Sequence, residues 1–161
     1  MPLSKLREFL DQNKVAYVVI SHSVAYTAQG IAALAHIPGK ELAKTVMVKL
    51  DGKLAMAVVP ASTLVDVAAL KGIAGVKQAE LASELEFKSQ FPDCETGAMP
   101  PFGNLYGLRV FADQSLTSDK EIAFNAGTHR ELVRLAFDDF VRLVNPKIAR
   151  FSTSRTRTTA A

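Results

Sequence analysis

Residues 44–60 read KTVMVKLDGKLAMAVVP, and this stretch decides the fold. Two runs of apolar and β-branched residues, 44–50 and 53–60, flank the dipeptide Asp51-Gly52. Asp-Gly between such runs is typical of a type I′ turn, because both turn positions then adopt positive φ. The stretch therefore predicts a β-hairpin.

The segments around the hairpin predict an irregular mixture of helices and strands. Apolar residues at helical spacing predict a first helix that ends near Asn13. Further helices are expected from Thr27 to Ala35, over 62–71, over 79–87 and from Asp138 to Val144, and further strands over 16–22, 108–112, 121–125 and 131–137. In the helix over 79–87, Leu85 and Phe87 are expected to face the core. This order predicts an α/β or α+β fold with a mixed sheet.

Length and composition are those of one folded domain. The chain has 161 residues, of which 48% are hydrophobic, so a sizeable core is expected. We expect a single domain over residues 1–150 and a basic, flexible tail over 151–161. The net charge of +3 permits a polyanionic partner without requiring one.

Cysteine usage and hydropathy point to the cytoplasm. The single cysteine, Cys94, excludes an internal disulfide and a site built from several cysteines, and it fits a reducing compartment. The N-terminus lacks the long apolar run of a signal peptide, and no apolar stretch is long enough to span a bilayer. We therefore expect a cytoplasmic protein with no membrane partner.

Two segments carry the most chemical information: Lys44, which opens the hairpin, and the loop GAMPPFG at 97–103. Pro100 and Pro101 stiffen this loop, and Gly97 allows its backbone to approach a ligand closely. A lysine facing such a loop could bind an ester carbonyl or a phosphate. A solvated strand end and a rigid surface turn are the alternatives, and position alone favours them. Whether Lys44 would act as an ammonium ion or as a base stays open.

The other titratable residues give weaker signals. His22 and His129 are candidates, although a lone histidine is more often structural. The histidines do not have metal-ligand spacing, and the sequence lacks the motifs of a nucleophile elbow, a phosphate loop or a dinucleotide site, so we predict no metal and no cofactor. Cys94 shows no nearby base that would activate it. The C-terminal third is basic and could contact phosphates or form a solvated face: Arg130, Arg134, Arg142, Lys147 and Arg150.

From Leu6 to Val144 the chain resembles the YbaK/prolyl-tRNA editing domain family of aminoacyl-tRNA deacylases. Four markers carry this resemblance in order: Thr27-Ala28-Gln29 with Ala32, Ala43-Lys44-Thr45, Gly97-x-x-x-Pro101 with Phe102-Gly103, and Asn125-Ala126-Gly127-Thr128-His129. The resemblance implies a curved mixed sheet packed with helices. It also implies metal-free hydrolysis of the ester of a mischarged aminoacyl-tRNA.

The same resemblance implies the site. Lys44, Gly97 and Pro101 map onto the catalytic lysine and loop of the family. The residues implied to bind substrate are Thr45, Ala98, Met99, Pro100, Phe102 and Gly103, with His129 and then His22 as weaker candidates. The expected partner is the 3′ acceptor end of an aminoacyl-tRNA, with an aminoacyl-tRNA synthetase as a second candidate.

Three functions remain open on the sequence. The first is a trans-acting editing hydrolase for a small amino acid, which could be alanine, cysteine, serine or threonine. The second is a non-catalytic module that holds tRNA or a synthetase. The third is a hydrolase of another small acyl ester, against which the missing serine or cysteine triad counts.

Overall fold

A computed structural model describes residues 2–21, 42–92, 94–95, 97–118, 120–128 and 130–154. Within these ranges the chain forms ten strands and four α-helices. The strands are Tyr17–Ser21 (β1), Ala43–Leu50 (β2), Lys53–Pro60 (β3), Thr63–Val65 (β4), Ala79–Leu81 (β5), Arg109–Asp113 (β6), Glu121–Asn125 (β7), Glu131–Ala136 (β8), Lys147–Ala149 (β9) and Ser152–Ser154 (β10). The helices are Pro2–Gln12 (α1), Val67–Ala74 (α2), Glu84–Phe87 (α3) and Phe137–Val144 (α4).

The predicted hairpin is confirmed. Strands β2 and β3 pair antiparallel along their whole length, from Ala43 opposite Pro60 to Leu50 opposite Lys53. Asp51 and Gly52 form the turn with φ of 50° and 82°, the positive values that a type I′ turn needs. The Asp51 carboxylate also accepts hydrogen bonds from the Lys77 and Gln78 N–H groups, which ties the turn to the chain that enters β5.

The hairpin forms the middle of a five-stranded sheet with the order β5-β2-β3-β6-β9. Strand β5 pairs antiparallel with β2, whereas β3 with β6 and β6 with β9 are parallel. A second, antiparallel sheet has the order β1-β8-β7, and β10 pairs with β4. An isolated parallel bridge between Leu42 and Ala123 brings the start of β2 against β7. The predicted mixed sheet packed with helices is confirmed.

The five-stranded sheet lies between two apolar clusters. The first core contains residues of α1 and α4 and one face of β2, where Ala43 and Met47 contribute, together with the inner face of the β1-β8-β7 sheet. The second core covers the opposite face of β2 and β3 and includes α2. Its buried members are Val48, Leu50, Ala55, Ala57, Val59, Leu70, Phe111 and Phe151. Alternate side chains of β2 therefore point to different cores.

The chain over 62–71 departs from the predicted helix. Residues Thr63–Val65 instead form β4, which pairs with β10 at Ser152–Ser154. Helix α2 begins only after Asp66, whose carboxylate caps it by accepting a hydrogen bond from the Ala69 N–H at 3.1 Å. The partner strand lies near the C-terminus, so no local pattern could reveal this strand.

The predicted helix over 79–87 was also wrong in its first half. Ala79–Leu81 is an edge strand on β2, and only Glu84–Phe87 is helical. Phe87 is buried as expected, whereas Leu85 is 88% exposed and does not reach the core. The helix predicted from Thr27 to Ala35 and the end of the strand predicted at His22 lie outside the described residues.

Residues 151–154, which were predicted to belong to the basic tail, are part of the described fold. Phe151 is 1% exposed within the second core, and Ser152–Ser154 form β10. Asp113, at the end of β6, holds this segment: Oδ1 accepts hydrogen bonds from the Phe151 and Ser152 N–H groups at 2.8 and 2.9 Å. Residues 155–161 lie outside the described part of the chain.

The Asp113 carboxylate is itself almost fully buried, with 2% of the residue exposed. Oδ2 accepts hydrogen bonds from the Ser115 N–H and hydroxyl and from the Ser152 hydroxyl. Burial raises the pKa of Asp113, but these hydrogen bonds outweigh it and hold the pKa below its ordinary value. We call this arrangement the Asp113 clasp.

Gly103 ends the 97–103 loop at a point where no side chain fits. A Cβ atom there would lie 2.6 Å from Val110 Cγ2 and 2.8 Å from the Leu108 carbonyl oxygen. We therefore predict that Gly103→Ala lowers the free energy of unfolding by about 1–3 kcal/mol, the usual cost of overpacking. Urea denaturation measures this loss.

Gly72→Ala is the matched control for Gly103→Ala. Gly72 lies inside α2, and a Cβ there would meet nothing within 4 Å. This substitution should stabilise the protein by about 0.5–1 kcal/mol, because alanine is the better helix former. Equal effects of the two substitutions would contradict the steric explanation at Gly103.

None of the helices in the described ranges is long and apolar enough to cross a membrane.

Candidate active site

Lys44 lies at the start of β2, opposite Val59 of β3, and is partly buried. Its neighbours Ala43 and Met47 face the first core, and Val46 packs against the second. Because side chains alternate along a strand, Lys44 points away from the first core, on the same side as Val46.

Strand β7 runs beside this end of β2. The parallel bridge joins Leu42 to Ala123, so Lys44 and Asn125 lie two residues further along their respective segments. Ile122 and Phe124 of β7 face the first core, so Asn125 points away from it, as Lys44 does. The carboxyl end of β7 therefore brings the Lys44 and Asn125 side chains to the same face.

The loop that contains Gly97 and Pro101 is fixed to the same end of β7. The Glu95 N–H donates to the Gly127 carbonyl oxygen at 2.7 Å, and the Gly127 N–H donates to the Ala98 carbonyl oxygen at 2.8 Å. Gly97 has a φ of 83° and is exposed, so its backbone is accessible to a ligand. The structure thus brings Lys44, Asn125 and this loop to one end of β7.

The interior of the loop packs into the protein. Residues 98–103 are all buried, and Met99 and Phe102 belong to the first core. The Phe102 ring contacts the rings of Phe9, Phe124 and Phe140, with centroid separations of 6.1, 5.5 and 5.7 Å. Through Phe124 this packing joins the loop to β7. The implied roles of residues 98–103 in substrate binding stay predictions.

Thr45 and Asn125 each carry a buried polar atom without a hydrogen-bond partner among the described residues: Thr45 Oγ1 and Asn125 Oδ1. Thr45 alternates with Lys44 and lies on the first-core face, opposite Val58. The predicted contact between Thr45 and a substrate would therefore lie on the opposite face of β2 from Lys44. Asn125 was not among the predicted site residues, although it opens the marker Asn125-Ala126-Gly127-Thr128-His129.

The remaining candidates lie elsewhere or outside the described residues. His22 and His129 are outside them. The partly buried Cys94 lies near the loop, with its Sγ 3.9 Å from the Tyr106 hydroxyl.

Most of the basic C-terminal residues bind neighbours within the fold. Arg134 pairs with Glu121, Arg142 pairs with Asp139, and the Lys147 ammonium donates to the Ile73 carbonyl oxygen. Arg150 donates to the Gln114 side chain. Arg130 is exposed and lies in the turn that follows β7. It is therefore the best placed of the five to reach a ligand at that end of the strand.

Two surface cavities lined by described residues lie away from Lys44. One of about 350 Å³ is next to the Asp113 clasp and Arg150. The other, of about 740 Å³, lies at the turn end of the hairpin beside Lys53 and Arg109. Neither of these cavities contains Lys44 or the loop at 97–101.

Residues 22–143 match the aminoacyl-tRNA editing domain family. The chain belongs to this family. The match covers Lys44, the Gly97–Pro101 loop and the end of β7, so the face described above lies entirely within the editing domain. The family match confirms the sequence-based prediction of a tRNA editing hydrolase. The alternative of a non-catalytic module is not favoured.

Similar proteins agree with this assignment. The multifunctional Ser/Thr-tRNA deacylase ProXp-y of Escherichia coli K12 is 28% identical over 152 residues, which are 91% of this editing domain protein and 90% of that relative. A proline–tRNA ligase of Bacillus mycoides is 28% identical over 88 residues, which are 55% of this chain and only 15% of the ligase.

Solved structures show the same fold. A crystal structure described as a candidate trans-editing enzyme for prolyl-tRNA synthetase superposes with a TM-score of 0.81 at 17% identity, covering 95% of this chain and 98% of that one. The hypothetical protein APE2540 superposes with a TM-score of 0.84 at 20% identity, covering 92% of this chain and 99% of that one.

Proposed function

We propose that this editing domain protein acts in trans and hydrolyses the ester of a tRNA mischarged with a small amino acid. The observation that supports this most is the shared location of Lys44 and the exposed Gly97 backbone at the carboxyl end of β7. A cation and a glycine backbone at one place suit an ester carbonyl that gains negative charge during attack.

In the proposed reaction, a water molecule attacks the ester carbonyl carbon. The Lys44 ammonium stabilises the negative charge on the carbonyl oxygen, and the backbone around Gly97 positions the aminoacyl group. The bond from the carbonyl carbon to the ribose oxygen of the terminal adenosine then breaks, and that oxygen takes up a proton. A ribose hydroxyl next to the ester assists the water. The products are the free amino acid and the uncharged tRNA.

This mechanism needs no covalent intermediate. Aminoacyl esters are already activated, so a positioned water and a stabilised oxyanion suffice. Discrimination comes from the walls of the pocket, because attraction to one methylene group gives only about 1–3 kcal/mol. The proposed wall is the exposed backbone at Gly97, which the buried residues 98–103 fix to the interior of the protein.

Serine and threonine are the first amino acids to test among the four small candidates. The Escherichia coli relative, which matches over nearly its whole length, is named a Ser/Thr-tRNA deacylase. Its similarity supports the same substrate class for this chain.

The proposed partner is the 3′ acceptor end of the tRNA, with a synthetase as a further candidate. Arg130 is exposed beside the end of β7 and is the residue we expect to contact a phosphate there. The net charge of +3 favours a polyanion.

A panel of aminoacyl-tRNAs tests the proposed function. One tRNA charged separately with serine, threonine, alanine, cysteine, leucine and phenylalanine is incubated with the protein, and ester cleavage is followed over time. We expect hydrolysis of small aminoacyl groups and at least about tenfold slower cleavage of leucine and phenylalanine. Salt-dependent tRNA binding without cleavage of any ester would instead support a binding module.

A further inference from the structure

The Asn125 side chain carries an unexplained buried acceptor. Its Oδ1 is inaccessible to solvent and has no hydrogen-bond partner within the described ranges. Leaving such a group unpaired costs about 1–3 kcal/mol. Buried polar atoms are nearly always paired, so an orphan at the edge of a site calls for a donor that a ligand could bring.

The location of Asn125 indicates which ligand could bring that donor. It lies at the end of β7 on the face shared with Lys44, and neighbouring strands are about 5 Å apart. An aminoacyl group whose carbonyl oxygen lies at Lys44 would place its β-carbon substituent within reach of an adjacent strand. A serine or threonine hydroxyl has an O–H that could donate to Oδ1, whereas a methyl group has none.

We infer that Asn125 selects hydroxylated aminoacyl groups by accepting a hydrogen bond from the serine or threonine side chain. This inference rests on the proposed function, since it assumes that the ester lies at Lys44. A buried acceptor that pairs with a substrate hydroxyl disfavours a substrate without that hydroxyl, because the acceptor is then left unpaired. Serine should therefore be preferred over alanine, and threonine over valine of nearly the same shape.

The test compares kcat/KM for one tRNA charged with serine, alanine, threonine or valine. In the unmodified protein we expect the hydroxylated member of each pair to be preferred by at least about tenfold. Asn125→Ala should reduce cleavage of the serine and threonine esters by about tenfold more than cleavage of the alanine and valine esters. Asn125→Asp, which keeps an acceptor at this position, should retain the preference.

Asn104→Ala is the matched control, because Asn104 is exposed and lies outside β7. It should leave the ratios between paired substrates unchanged, and thermal melting checks that each variant is folded. If Asn125→Ala leaves the serine/alanine and threonine/valine ratios of kcat/KM unchanged, whether or not it slows cleavage of all four esters, the inference is overturned. The proposed hydrolase function would still stand. If the unmodified protein cleaves none of the esters, the proposed function fails and the inference fails with it.

Discussion

Replacing Lys44 by alanine is expected to lower kcat/KM for aminoacyl-tRNA cleavage by about 100-fold or more. The substitution removes the only charged group that we assign to the developing oxyanion, and loss of one such donor typically costs about 10²–10³ in rate. Single-turnover deacylation with the best ester of the panel measures the effect. Lys44→Met, which keeps an apolar stem without the ammonium, should be equally slow.

Lys53→Ala is the matched control for charge. It also removes one lysine from the hairpin, but Lys53 is exposed at the opposite end, next to the Asp51-Gly52 turn. Its activity should stay within about twofold of the unmodified protein, because surface charges distant from a site contribute little at ordinary salt. Full activity of folded Lys44→Ala would remove Lys44 from the proposed mechanism.

Asp113→Ala is expected to lower the free energy of unfolding by about 3 kcal/mol or more. The Asp113 clasp accepts hydrogen bonds from two backbone N–H groups of the C-terminal segment and from Ser115. Alanine would leave the buried Phe151 N–H and the partly buried Ser152 and Ser115 N–H groups without this acceptor. Urea denaturation measures the loss, and hydrogen exchange should show residues 151–154 opening more readily.

Asp138→Ala provides the comparison for Asp113→Ala. Asp138 is exposed in the first turn of α4, so its removal should cost no more than about 1 kcal/mol. Similar losses from the two substitutions would mean that the clasp contributes no more to stability than a surface carboxylate.

The Asp113 clasp also predicts how the stability of the folded state depends on pH. Hydrogen bonding holds the pKa of Asp113 below its ordinary value of 3.8 despite burial, so the folded state favours the ionised form. Its contribution to stability is fully present above pH 3.8 and is lost as the pH falls through the lowered pKa. Asp113→Asn should therefore be less stable at neutral pH and lose less stability between neutral pH and about pH 3.

The sequence predicted the parts of the fold that depend on local chemistry. Asp51-Gly52 determines a turn by its own backbone preferences, so the hairpin followed directly. Strands β4 and β10 could not be predicted, because each is held by a partner about ninety residues away in the chain. The buried anchor Phe151 was assigned to a tail for the same reason.

The candidate site, too, could be predicted only in part from the sequence. Lys44 and the Gly97–Pro101 loop were identified through motifs of the family, and their roles and those of the residues implied to bind substrate stay predictions. Asn125 could not be singled out, because its proposed role depends on the parallel contact between Leu42 and Ala123. Sequence alternation alone also could not show that Thr45 lies on the first-core face, since the two faces of β2 are both apolar.

The contact of Phe102 with three other phenylalanine rings has a consequence for how accurately the protein selects aminoacyl groups by size. The proposed pocket wall rests directly on the hydrophobic interior, so its position depends on how tightly that interior is packed. A higher temperature should allow the wall to move, and so should a cavity introduced among those rings. Bulkier acyl groups could then enter the pocket while Lys44 remains in place. Such an enzyme would lose fidelity before it lost speed.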